Sequence, residues 1–175
     1  MSTFTFRKPA PGECSDYFKR YTLLVEGDNP VEAMEAEFAG TISLLQSLSE
    51  DQWMYRYAEG KWSIKEVILH IIDTERIMTY RALRIARNDK TPLPGFEQDL
   101  FTPYSEADIR TADSLIREFQ AVRSATVELF RNFTADMWVR IGTASDNPIS
   151  PLALAFIVAG HEMHHMRILR ERYLL

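Results

Sequence analysis

Four histidines occur in the 175 residues, and three of them, His161, His164 and His165, fall within five positions; the fourth is His70. On a helix, positions i and i+4 lie about 40° apart. His161 and His165 therefore share one face with Leu154, Ile157, Val158, Ile168 and Leu169. His164 points about 60° to the other side of His161, toward the edge of that apolar stripe. Two imidazoles aimed into a core need partners, because a buried polar atom left unpaired costs about 1–3 kcal/mol, and two charged rings repel. A divalent metal answers both problems, since neutral imidazoles at i, i+4 spacing converge on one ion. A third ligand is then needed, and His70 is the only remaining candidate among the histidines. Glu66 and Thr74 flank it at i−4 and i+4, with Arg81 on nearly the same face. That face is too polar for plain core and suits a helix lining a wet site.

His161-Glu162-Met163-His164-His165 also matches H-E-x-x-H, the zinc-protease helix, in which Glu162 would be the general base. Ten residues follow His165, too few for the usual downstream ligand. Glu162 also lies about 100° off the histidine face. Glu66 is spent elsewhere: Ser63-Ile64-Lys65-Glu66 reads as a capping box, with the hydroxyl and carboxylate closing orphan backbone N–H groups. No catalytic base is thus assigned. Such an ion keeps its full charge and an open position, so it can acidify water for hydrolysis or hold a thiol as thiolate. Lack of a separate strong base favours the thiolate slightly, because thiolate attack needs none.

Helical periodicity supplies the elements that must position these residues. Met34, Phe38, Thr41, Leu45 and Leu48 recur at three and four within about 31–48, after Asn29-Pro30 as cap and first helical residue. A second helix is predicted from Ser63 to about Arg87, and a third from about Ala112 to Asn132, its face formed by Leu115, Phe119, Val122, Thr126, Leu129 and Phe133. A fourth runs from about Ser150 to Leu174. No convincing β alternation appears, so the class is all-α, with residues 30–175 as a four-helix bundle and 1–29 as an N-terminal arm. Residues 88–111 contain Pro92, Pro94, Gly95 and Pro103. They form a long connection between helices 2 and 3, able to cross the bundle and let those helices run in the same direction.

Composition narrows the partners. Net charge is −5, against the basic footprint a nucleic-acid binder needs. The longest apolar run, 152–160, is far short of the ~20 residues of a membrane span. Cys14 is the single cysteine and cannot close an intramolecular disulfide. No signal-peptide pattern appears at the N-terminus, so a cytoplasmic protein with a small-molecule substrate is expected. Phe156 and Met163, on the far side of the fourth helix, offer either a homodimer contact or a seat for the arm.

The segment 57–70, with Trp62-Ser63-x-x-Glu66-x-x-x-His70 at its centre, followed by Asp73-Thr74-Glu75-Arg76, resembles the DinB superfamily, and His161-x-x-x-His165 resembles that family's second motif. The resemblance extends from about Pro30 to Leu174. It implies a four-helix bundle of up-down-down-up topology and a metal, zinc or nickel, bound by His70, His161 and His165 with water completing the shell. The family includes thiol-dependent S-transferases that join a low-molecular-weight thiol to an electrophile. The expected activity is therefore S-transfer, with hydrolysis by metal-bound hydroxide as the alternative and a non-enzymatic metal-stabilised stress or interaction protein as a third reading. Many members carry Arg-Gly-Gln after the paired histidines; Met166-Arg167-Ile168 stands here, so subgroup specificity does not carry over.

Overall fold

The computed structural model describes residues 4–174. Four long helices make the bundle: α2 (Pro30–Ser47), α4 (Ile64–Ala86), α6 (Ala112–Arg131) and α8 (Pro151–Ile168), the last running on into a π-helical turn, Leu169–Tyr173. Short helices decorate it: α1 (Asp16–Thr22) in the arm, α3 (Glu50–Met54), α5 (Gln98–Phe101) and α7 (Ala135–Val139). The long helices start where the sequence places caps. Asn29, Ser63, Thr111 and Ser150 each accept from backbone N–H groups of the first turn, and Ser63 and Glu66 complete the capping box reciprocally.

One element was not anticipated from the pattern. Gly142–Ala144 and Asn147–Ile149 pair as a two-stranded antiparallel hairpin, β1 and β2. It is too short to show alternation, and its turn residues Ser145 and Asp146 adopt positive φ of 50° and 60° without a glycine to announce it. Leu93 joins β1 as an isolated bridge, its N–H donating to the Thr143 carbonyl at 2.9 Å. The long connection is thereby pinned beside the end of α4. Its other end is held at the start of α4, where Asp108 accepts from Ser63 Oγ and from Arg56, each at 2.6 Å.

Two apolar clusters fill the bundle. One gathers the first half of α8, from Leu152 to Ala159, with Met34, Val127 and Phe130. The other gathers the first half of α4, Ile64 to Ile72, with Leu45, Leu115, Phe119 and Met166. Charged and polar groups lie between them, namely Glu75, Arg123, Thr126, His161 and Glu162, all buried. The third helix is rotated relative to the predicted face. Arg123, Val127 and Phe130 point inward, while Val122 and Leu129 sit half-buried at the edge. The reason is Arg123, whose buried ion pairs draw the helix round.

α8 is buried on every side from Pro151 to Glu162. Of the two roles the sequence allows Phe156 and Met163, a homodimer contact or a seat for the arm, these residues take the second. Phe156 is wholly buried beneath the arm, with the Lys8 ammonium 4.7 Å from its ring centre, and Met163 packs half-buried against the same cluster. The close approach of α1 to α8 depends on Gly160, where a Cβ would fall on the Tyr21 carbonyl. Gly160→Ala should lower unfolding free energy by about 1–3 kcal/mol through overpacking. Gly40→Ala, at an exposed α2 position with open space around it, should raise it by up to about 1 kcal/mol. Urea denaturation of the two variants checks that the same chemical change has opposite signs.

Candidate metal centre

The three histidines singled out by type and helical phase come together. His70 reaches in from α4, and His161 and His165 from successive turns of α8. His161 Nε2 lies 3.1 Å from His70 Nε2 and 3.2 Å from His165 Nε2. His164 stays at the rim, its ring edge-on to Tyr21 and to His165. A bare cluster of this kind cannot satisfy itself. The His161 Nε2 carries one proton or one lone pair, so it can serve one neighbour and not both. An ion at the centre satisfies all three. Two nitrogens each about 2.05 Å from an ion stand about 3.3 Å apart at a tetrahedral angle and about 2.9 Å at a right angle, and the observed separations fall between. No carboxylate or thiol joins the three nitrogens among the described residues. The donor set therefore fits a borderline divalent ion with an open position.

Electrostatics keep the rings neutral, as ligands must be. Burial is the main cause at each ring, and it lowers the His70 pKa to about 4. His161 and His165 are pushed well below the usual histidine value by burial and then by the neighbouring rings, with Arg20 adding repulsion. Asp99 opposes this weakly at His70. The walls are aromatic: Trp62 lies 5.0 Å from the His70 ring and Tyr21 5.3 Å from the His161 ring. His161 closes one end of a cleft of about 460 Å³ that runs past Thr74, Met78 and Arg81 of α4. That wall is the polar face seen in the sequence. Glu66 is not part of it; its carboxylate accepts from the Ser63 N–H at 2.8 Å and pairs with Arg56 at 2.9 Å.

Glu162 does not serve as a base beside the histidines. It points about 100° round α8 from the histidine face, where Arg123 of α6 donates to it at 2.7 Å. The same guanidinium holds Glu75 of α4 at 2.8 and 3.0 Å and donates to the Met34 carbonyl of α2 at 2.9 Å. One side chain thus ties all four long helices. It also fixes the rotation of α8: with Glu162 turned to Arg123, His161 must face His70. Sequence reasoning passed over Arg123. Its signal was available, for it stands at i+4 from Phe119 and i−3 from Thr126, a charge on an apolar face. Tyr21 and Arg20 were also missed, because nothing in the arm reveals what it packs against.

Residues 33–169 match the sequence profile of the DinB superfamily. The chain belongs to the DinB superfamily. A protein of Oceanobacillus iheyensis named "Putative metal-dependent hydrolase" is 26% identical over 124 residues, 70% of each chain. YfiT from Bacillus subtilis, described as "a probable metal-dependent hydrolase with an unusual four-helix bundle topology", superposes with a TM-score of 0.66 at 12% identity, covering 95% of this chain and 93% of its own. The fold is accordingly that four-helix bundle.

Two outcomes test this centre. Arg123→Met leaves Glu75 and Glu162 buried without a counter-ion, and should cost about 3–5 kcal/mol in denaturant unfolding. The pH dependence has a definite sign. The folded-state pKa values lie below the unfolded value of about 6.5, so the unfolded chain binds more protons as the solution turns acid. The stability advantage of the neutral rings is complete above about pH 6.5. For His70 it is lost as pH falls toward about 4. Unfolding of metal-free protein and of His70→Gln, compared at pH 7 and 4.5, should show the stability difference between the two shifting against the wild type at the lower pH.

Proposed function

We propose that this protein is a metal-dependent enzyme in which His70, His161 and His165 hold one divalent ion, zinc or nickel, at the end of the α4–α8 cleft. The observation that carries the reading is the convergence of three neutral imidazole nitrogens with no fourth side-chain ligand among the described residues. A structural site is closed by four protein ligands, whereas a catalytic one keeps a position for water or substrate. The bound ion would supply Lewis acidity, lowering the pKa of a water or thiol that reaches it. The chain's own residues do the rest. Trp62 and Tyr21 wall the nitrogens from bulk water, and Arg123 holds α8 in the orientation that presents both of its histidines.

Hydrolysis of a small molecule is the first reading, supported by the descriptions of both relatives as metal-dependent hydrolases. Asp99, which lines the cleft and whose charge reaches His70, is the candidate to accept a proton. Thiol-dependent S-transfer is the second reading. It is supported by the absence of any carboxylate beside the three nitrogens among the described residues, since a thiol once acidified needs no base.

The same reading carries the helix order, up-down-down-up. Support comes from pairs that climb α4 and α6 together, Arg76 with Glu118 and Thr79 with Thr126. It comes also from Tyr173, after α8, donating to the Trp62 carbonyl just before α4 at 2.9 Å. Elemental analysis should find about one divalent ion per chain. His161→Ala should lose metal affinity and activity together, each by about 100-fold or more. Esters and amides assayed beside thiol–electrophile pairs decide between the two readings, and a metal-loaded protein inert toward both classes would refute them.

A further inference from the structure

The cleft that ends at His161 contains a second charged feature, which metal chemistry leaves unused. Arg81 lies on α4 eleven residues beyond His70, about 20° round the helix and about 16 Å along it. Its side chain is 2% exposed and lines the cleft. Nη2 donates to the Pro94 carbonyl at 2.6 Å and to Ser145 Oγ at 3.3 Å, while Nη1 meets only the Met78 sulfur at 3.6 Å. Among the described residues no carboxylate forms an ion pair with it, whereas the comparably buried Arg123 has two. Burial without a counter-ion pulls its pKa down. On the same wall the Thr74 hydroxyl, in a side chain 4% exposed, has no hydrogen-bond partner. An uncompensated cation and an idle hydroxyl therefore face one cavity, and buried charges in folded proteins are paired.

We infer that Arg81 is the anchor for the carboxylate of an elongated small molecule whose other end reaches His161. A guanidinium offers a planar fork that matches a carboxylate with two parallel hydrogen bonds. Its single positive charge balances a single negative one. Glu97 and Asp99 lie on the cleft as well and repel a dianion, so a carboxylate suits the site better than a phosphate. Between the two ends Phe18, Met78 and Ile157 contribute apolar wall, which fits an aliphatic or aromatic middle. That this molecule is a substrate rests on the metal-enzyme reading above; the binding of the anion does not.

Arg81 also staples the 93–95 segment to the hairpin turn through Pro94 and Ser145, so loss of stability on mutation is not diagnostic. The test uses hexanoate against hexanamide, matched in shape and differing in charge, followed by thermal melting of the full chain at constant ionic strength. At ten times its dissociation constant, hexanoate should raise the melting temperature by roughly 3–5 °C, and hexanamide by much less. Arg81→Met should abolish the difference while keeping its metal content, and Arg81→Lys should retain part of it. Removal of the metal from the wild type with a chelator should leave the hexanoate response in place, which separates this anchor from the metal centre. Equal responses to acid and amide in the wild type, or an undiminished response in Arg81→Met, overturn the proposal. A phosphate response exceeding that of hexanoate overturns the choice of a monocarboxylate.

Discussion

A single guanidinium in the middle of the bundle organises what surrounds it. Arg123 contacts α2 through a carbonyl, α4 through Glu75 and α8 through Glu162, while its own helix supplies the fourth wall. Aromatic rings of Phe38 and Phe119 lie against it, 4.9 and 5.5 Å from its central carbon. Two carboxylates facing one cation in a dry interior hold it charged, and its pKa is driven up accordingly. Such a network is demanding, since removing any one member strands the others. Its geometric consequence matters more than its net energy. Apolar side chains tolerate small rotations of a helix, whereas a buried hydrogen-bonded ion pair does not, so the Arg123–Glu162 pair holds α8 at one rotation.

That rotation is what the convergence of the three histidines requires. His161 and Glu162 are adjacent in sequence and about 100° apart round α8, one facing a cluster of neutral rings and the other a buried cation. The polar layer between two apolar clusters is thus a single construction with two halves. One half orders the helices electrostatically; the other leaves three nitrogens 3.1–3.2 Å apart in sequence along the cluster with nothing of the protein's own between them. Depression of the histidine pKa values belongs to the same design, because rings kept neutral by burial are available as ligands at neutral pH.

The arm adds a constraint the bundle alone would lack. It covers the outer side of α8, so that helix is buried all round from Pro151 to Glu162, and it brings Tyr21 against His161 through the gap left by Gly160. The long connection does comparable work on the other flank, where α5 and Arg81's two loop contacts shape the cleft. Chain outside the four long helices therefore builds most of the cavity into which the metal centre opens.

Much of this was legible from residue type and period alone. The caps at Asn29 and Ser63, four helical stretches and the inward pairing of His161 with His165 follow from local rules, because capping and the 3.6-residue repeat act within one helix and need no knowledge of neighbours. Naming His70 as the third member of the cluster needed only the shortage of histidines. What the sequence could not settle was everything set by contacts between helices. The rotation of α6 depends on Arg123 finding two carboxylates that lie 48 and 39 residues away. The hairpin at Gly142–Ile149 is too short to carry a periodic signal. The burial of Phe156 depends on where the arm folds back. Local sequence sets which face of a helix is apolar, but an ion pair, a bridging loop or a covering arm gains its energy only across a tertiary contact, and only the folded chain brings its members together.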